Sequence, residues 1–277
     1  MYKLIGDSCT DVTKELLQDT HIHLVPLTLQ IDDDIIVDDE NLDQKDLLQK
    51  MKASTQSPTS ACPAPEAFMK FYGGDEDVYV VTLSSKLSGS YNSAVLAKNL
   101  YLEENEHKNI AVIDSLSAAV GQTLVLLKVK ELADQGLSFE QVVEKAEEYR
   151  DNMVTKFLLE SLENLRKAGR LSTVKAIIAN TLNIKPIMCS NGHGEIIKMD
   201  QARGMKRALD LLISSIEKDV VEPENKILGI TQCNALERAQ YIKDELEKRV
   251  PFKKVVIVDA AGVSTAYAND GGVVVCY

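Results

Sequence analysis

The sequence of 277 residues has no tryptophan, four histidines and five cysteines, and each scarcity closes off a class of function. The cysteines (Cys9, Cys62, Cys189, Cys233, Cys276) are odd in number, scattered, and without Cys-x-x-Cys spacing. That pattern argues against a disulfide framework or a zinc site and fits the reduced thiols of a cytoplasmic protein. No apolar run approaches the roughly 18–20 residues needed to span a bilayer. The opening residues reach the carboxylate of Asp7 too early for a signal peptide. Base is in short supply too. With 31 Lys and Arg against 42 Asp and Glu, the net charge of −11 excludes a non-specific nucleic-acid partner. There is no Walker A lysine, no Gly-x-Gly-x-x-Gly and no Gly-x-Ser-x-Gly elbow, so nucleotide binding has no handle and a serine hydrolase little support. His21 and His23 make a His-x-His pair, but no third ligand stands at suitable spacing, so neither metal nor cofactor is expected.

What is present is an apolar share of 45%, enough for a well-buried core, on a chain long enough for two domains. The run Val78 to Leu83 has strand length and β-branched content. It passes through Ser84, Ser85, Ser88, Gly89 and Ser90 into a helical pattern beginning near Tyr91. Such a turn is expected to gather free backbone N–H groups and serine hydroxyls where a carboxylate or phosphate is attracted. Ser88 is also a good helix cap, which would account for it without any ligand. Shorter strands at Tyr2–Gly6 and Asn109–Ile113 each end in an Asp-Ser pair. Helices are expected from Thr10 to Gln18 with Asp11 in the first turn, and over 42–51, 66–72, 116–135 and 138–150. The loosely alternating stretch Ile22 to Ile31 is expected to turn at Asp32–Asp34 into a hairpin.

Strands alternating with helices of this length predict a parallel sheet with helices on both faces over residues 1–152. From 153 to 277 the pattern changes to an α+β second domain. It comprises a strand near 153–159, helices over 160–167, 173–182, 201–218 and 235–249, a hairpin at Asn191–Gly194, and strands at 227–231, 255–258 and 273–276. The proline-rich loop from Ser54 to Pro65 holds Thr59 and Ser60 in extended geometry, either as ligand donors or as a plain connector. Arg166, Lys167 and Arg170, with Arg203, Lys206 and Arg207, form two basic clusters. They read as solvated helix faces or as a docking surface or phosphate clamp.

Four segments taken together resemble the DegV family, the bacterial fatty-acid-binding proteins that serve as carrier subunits of fatty acid kinase. They are Asp7-Ser8 with Asp11; Thr59-Ser60; the serine-rich turn from Ser84 to Ala94; and Leu165 to Ser172 followed by Leu182 to Ile187. Ile113-Asp-Ser115 and Ala202 to Lys206 fit the same pattern, so the likeness spans the chain in order. The resemblance implies two domains with one long-chain fatty acid between them, no catalysis by the chain itself, and a separate ATP-dependent kinase as partner. By position it implies that Thr59 and Ser88 bind the carboxylate, with Ser60, Ser85, Gly89 and Arg170 shaping the head-group end. Phe157, Leu158, Leu162, Leu165, Ile177, Ile178 and Leu182 are candidates for the acyl chain or for ordinary core. The family's C-terminal His-x-Gly-Pro-Gly is absent, and Tyr267 falls where its histidine would stand, as a phenolic substitute or a core residue. The rival expectation is an enzyme, a phosphotransferase or hydrolase acting on a small anionic substrate at the same serine-rich turn.

Overall fold

The computed structural model describes residues 1–171 and 183–277. The chain opens with β1 (Tyr2–Asp7), α1 (Lys14–Thr20) and β2 (Ile22–Val25). Thr13 caps α1, its hydroxyl accepting from Leu16 N–H, so Asp11 lies outside the helix and not in its first turn. Pro26 interrupts the stretch from Ile22 to Ile31, because proline supplies no ladder N–H and restricts the residue before it. The two halves therefore serve different sheets. β2 pairs in parallel with β1, whereas β3 (Thr28–Ile31) makes the expected hairpin with β4 (Asp34–Val37). After α2 (Gln44–Ala53), the proline-rich loop is not a free connector: β5 (Thr59–Ala61) pairs antiparallel with β3. There follow α3 (Pro65–Met69), β6 (Asp77–Thr82), α4 (Ser90–Glu104), β7 (Ile110–Asp114), α5 (Val120–Asp134) and α6 (Phe139–Asp151).

β2, β1, β6 and β7 lie side by side in that order, all parallel. Side chains alternate along β6 as strand geometry requires. Val78 and Val80 pack with Phe68 of α3 and Ala94 of α4, and Tyr79 and Val81 with Val129 of α5 and Val142 of α6. Both faces are thus covered, as a parallel sheet demands.

The remaining elements are β8 (Thr155–Leu158), α7 (Glu163–Lys167), β9 (Ile184–Ser190), β10 (Ile196–Arg203), α8 (Met205–Asp219), β11 (Ile227–Gln232), α9 (Leu236–Glu247), β12 (Lys254–Asp259), α10 (Gly262–Ala268) and β13 (Val273–Cys276). Their strands form one sheet, ordered β10-β9-β8-β13-β11-β12, in which only the β11–β12 pairing is parallel. The helix expected over 201–218 begins only at Met205. β10 stays paired with β9 as far as Arg203, and Gly204, at φ +86°, turns the chain. The helix expected over 173–182 lies outside the described residues. α10 was not foreseen, since its short run of small residues has no apolar periodicity.

Leu158 joins Leu212 and Ile242 in the core beneath α8 and α9, while Thr155 and Phe157 face the other way. On that second side α5 lies directly on the sheet: a Cβ on Gly229 of β11 would stand 2.5 Å from Val120 Cγ2. α5 is therefore shared. Its Leu126 and Val129 pack towards the parallel sheet, and Val120 and Leu124 pack with Val258 and Cys276 of the mixed one. Its first half, buried without interruption from Val120 to Leu126, is the sequence counterpart of that position.

Candidate functional site

The serine-rich turn between β6 and α4 is held from below by carboxylates at the strand ends. Asp7, fully buried, accepts from Leu83 N–H (3.0 Å), Cys9 N–H (3.1 Å), Ser90 Oγ (2.6 Å) and Gln122 Nε2 (3.1 Å). Burial raises its pKa, and these donors oppose the rise. Asp114 accepts the Ser85 N–H, and Ser84 N–H donates to Ser117 O at 2.7 Å. Leu87 and Ser88 N–H both donate to Ser84 O, and Ser90 N–H to Ser88 Oγ at 3.2 Å. The backbone donors expected to be free for an anion are thus largely spent inside the turn. What the turn offers outward is the hydroxyl of Ser88, whose oxygen meanwhile caps locally.

That hydroxyl lines a cavity between the turn and the mixed sheet. The space between its walls is about 890 Å³, counting the part open to solvent. Its wall is mostly aliphatic and aromatic: Leu27, Leu87, Phe157, Leu159, Leu165 and Val263. Among its polar side chains are four from four separate segments: Ser60 of β5, Ser88, Arg170 after α7, and Tyr267 of α10. Ser60 Oγ and Tyr267 Oη are 2.8 Å apart. Arg170 lies with its Cζ 5.9 Å from the Tyr267 ring centroid. Its Nε donates to Leu87 O (3.0 Å) and its Nη1 to Ala168 O (2.6 Å), which aims the guanidinium along the cavity edge.

α10 carries Ser264 and Tyr267 to this place, and two buried aspartates fix where it starts. Asp38 accepts from Gly262 N–H (2.7 Å), Val263 N–H (2.9 Å) and Ser8 Oγ (2.8 Å). Asp11 accepts from Ala261 N–H and Thr231 Oγ1, each at 2.9 Å. Carboxylates at a helix start satisfy its orphan donors and complement its dipole. Removal from water still dominates both groups: the Asp38 pKa is raised, and that of Asp11 is pushed up to about 7. Burial also raises the thiol of Cys9, another cavity residue, well above its ordinary range.

Of the residues singled out from sequence, Ser60, Ser88, Arg170 and Tyr267 come together, and Thr59, Ser85 and Gly89 do not line the cavity. Strand alternation explains Thr59: on β5 it is exposed and its neighbour Ser60 points in. Ser85 is tied by its backbone to Asp114, and Gly89 is exposed beside Cys62. Among the candidate tail residues, Phe157 and Leu165 line the wall. Leu158 faces α8 and α9, Leu162 packs in one cluster with Phe157 and Leu165 without lining the wall, and Ile177, Ile178 and Leu182 lie outside the described residues. Arg166 and Lys167 are engaged by Glu163, while Arg203, Lys206 and Arg207 are exposed. His23 stacks on Phe71 at 4.9 Å, and His21 ends α1 in the left-handed region. Among the described residues no three His, Cys, Asp or Glu side chains group as a metal site, and no helix is long and apolar enough to cross a membrane. Sequence reading missed Ser117, Thr155 and Ser264 as cavity residues. The Asp-Ser repeat at strand ends was the nearest signal to the first of them.

Comparison with known proteins gives a consistent result. A family model described as "Uncharacterised protein, DegV family" matches residues 1–277. A DegV domain-containing protein of Streptococcus pyogenes serotype M18 is 35% identical over 278 residues, covering 100% of this chain and 99% of its own. A DegV family structure from Ruminococcus gnavus, refined with vaccenic acid, superposes with a TM-score of 0.96 at 48% identity, covering 100% of this chain and 99% of its own. The Fatty Acid Kinase (Fak) B3 protein of Streptococcus pneumoniae, loaded with linoleic acid, superposes with a TM-score of 0.91 at 33% identity and the same coverage.

Proposed function

The chain belongs to the DegV family over its whole length, and on that premise we propose that it binds one long-chain fatty acid as a carrier. The acid's carboxylate lies towards Ser60, Ser88, Tyr267 and Arg170, and its tail along Leu159 and Phe157. The observation that carries this reading is the meeting of three hydroxyls and one guanidinium at the wall of a mostly apolar cavity. The relatives solved with vaccenic and linoleic acids support the ligand class.

The energetics suit that ligand. Burying about 16 carbons at ~0.8 kcal/mol per CH₂ represents on the order of 12 kcal/mol of transfer free energy. Ordering the chain consumes part of it. The tail therefore supplies affinity. A buried carboxylate without donors would be costly, and the hydroxyls with Arg170 offset that cost and set the orientation. Ser60 takes the part that the resemblance gave to Thr59.

We extend the reading in three respects. The regions 1–152 and 153–277 act as two domains with the ligand between them. The free thiols of all five cysteines fit a cytoplasmic location. A separate ATP-dependent kinase is the partner that phosphorylates the bound acid, a role the likeness to Fak B3 favours. The decisive experiment is mass spectrometry of an organic extract of the purified protein, with titration of palmitate and oleate. A co-purifying acyl chain and saturable binding are expected; an extract without lipid and no uptake of either acid would reject the reading.

A further inference from the structure

Along β8 the cavity-facing row is not uniformly apolar. Strand alternation brings Leu159, Phe157 and Thr155 to the wall in succession. Leu159 marks the head-group end, for it packs with Tyr267 and Ala268 of α10. Thr155 stands four residues further on, about 13 Å away at the rise of a strand. There its Oγ1 meets Ser117 Oγ at 2.7 Å, and both residues line the cavity. Ala118 and Ala119, which follow Ser117, and Phe157 and Val274 line the same cavity. Two other polar wall residues are engaged: Ser190 Oγ reaches Leu116 O at 3.5 Å, and Glu195 accepts from Asn191 Nδ2 at 2.8 Å.

The hydroxyl pair is built into the packing. A Cβ on Gly121 would lie 2.1 Å from Ser117 Oγ and 2.9 Å from Cys276 Sγ, so only glycine in α5 leaves room for it. Two hydroxyls hold two donors and four lone pairs. One donor joins the pair, Cys276 Sγ reaches Thr155 Oγ1 at 3.6 Å, and Ser117 Oγ has a long contact of 3.4 Å to Ala118 O. Hydrogen-bonding capacity is left over on a pair that lines the cavity. A plain acyl chain passing here would put methylenes against it; an oxygen on the chain would use it.

We propose that Ser117 and Thr155 form a subsite for a mid-chain hydroxyl, so that the preferred ligands include long-chain acids hydroxylated near the tenth carbon. The position follows from length: with C–C bonds of ~1.5 Å, an extended chain advances about 1.25 Å per carbon, and about 13 Å is roughly ten carbons. The inference rests on the fatty-acid reading above and names a substrate class within it.

The test is titration calorimetry of the delipidated full-length protein with stearic, 10-hydroxystearic and 3-hydroxystearic acids. One or two hydrogen bonds gained in a dry wall predict binding of the 10-hydroxy acid about tenfold tighter than stearate, with no gain for the 3-hydroxy acid. In the Ser117→Ala/Thr155→Val double variant the order reverses, because the ligand hydroxyl then loses water without replacement. Equal affinities of wild-type protein for stearate and the 10-hydroxy acid would overturn the proposal, as would a preference that survives in the double variant. If the double variant fails to fold, the comparison of hydroxyl positions on the wild-type protein decides alone. Failure of stearate itself to bind would instead reject the parent reading.

Discussion

Removing one oxygen from the head-group end tests the site most directly. Tyr267→Phe deletes the phenolic group that lies 2.8 Å from Ser60 Oγ and keeps the ring that packs with Leu87 and faces Arg170. A neutral hydrogen bond contributes about 0.5–1.5 kcal/mol net, and one to a charged group about 1.5–3. Without ligand the substitution should therefore lower stability by roughly 1 kcal/mol. With oleate it should weaken binding about tenfold, and up to about a hundredfold if the phenol donates to the carboxylate directly. Oleyl alcohol, which has the same tail and no charge, should lose less. Titration calorimetry of both ligands gives the two ratios, and a double-mutant cycle with Ser60→Ala separates the Ser60–Tyr267 coupling from the loss of ligand contact. An oleate affinity unchanged within twofold would refute the reasoning. Equal losses for acid and alcohol would show that the phenol serves packing alone.

Three other expectations concern the scaffold. Asp11 has a folded pKa of about 7, raised by burial, against about 3.9 in the unfolded chain. Between those values the folded protein keeps a proton that the unfolded chain has released. Its contribution to stability therefore falls as pH rises from about 4 to 7, by up to ~1.4 kcal/mol per pH unit. Asp7 and Asp38, also raised, act in the same sense; urea midpoints from pH 4.5 to 8 should flatten in Asp11→Asn, and profiles identical to wild type would contradict this account. Gly194→Ala should cost about 1–3 kcal/mol, because φ is +81° and a Cβ would stand 2.2 Å from Ser84 Oγ. Gly136→Ala, at φ +76° with nothing within 4 Å, isolates the backbone part, and equal thermal shifts for the two would disprove the close approach. Finally, Lys156 is buried under α8 with its Nζ 2.8 Å from half-exposed Asp219. Lys156→Met should change stability by less than ~1 kcal/mol, whereas Asp219→Ala, which strands the cation, should cost about 1–3; the reverse order in denaturant titrations would rule out that view.

The elements that sequence reading located well are those whose pattern is local. The β-branched run at Val78, the capped helix after Ser138 and the Asn-Gly-His-Gly turn each state their conformation within a few residues. Features set by distant partners stayed hidden. Ile22 to Ile31 alternates as one strand would, and only the competing claims of two sheets show why Pro26 divides it. α10 lacks amphipathic period because it is buried nearly all round, and carboxylates of Asp11 and Asp38, over 220 residues away, hold its first turn. The cavity shows the same division. Ser88 could be picked out from its turn, but choosing Ser60 over Thr59 required the pairing of β5 with β3, which sets the side that each residue faces.

A phenol at position 267 also makes a prediction about pH. Phenol and imidazole both donate hydrogen bonds to a carboxylate, but only imidazole changes charge near neutrality. No imidazole stands among the described cavity residues, and Asp11, raised to about 7, lies behind the start of α10 and not on the cavity wall, so oleate affinity should vary little from pH 6 to 8. Tyr267→His would add a titrating group beside the carboxylate. Its cationic form would bind the acid more tightly, so affinity in the variant should fall as pH rises, with the midpoint drawn below the usual 6.5 by the neighbouring guanidinium. The slope should vanish for oleyl alcohol, which carries no charge for the imidazolium to meet. A wild-type protein with a comparable slope for oleate, or a variant with none, would mean that the carboxylate does not lie against residue 267.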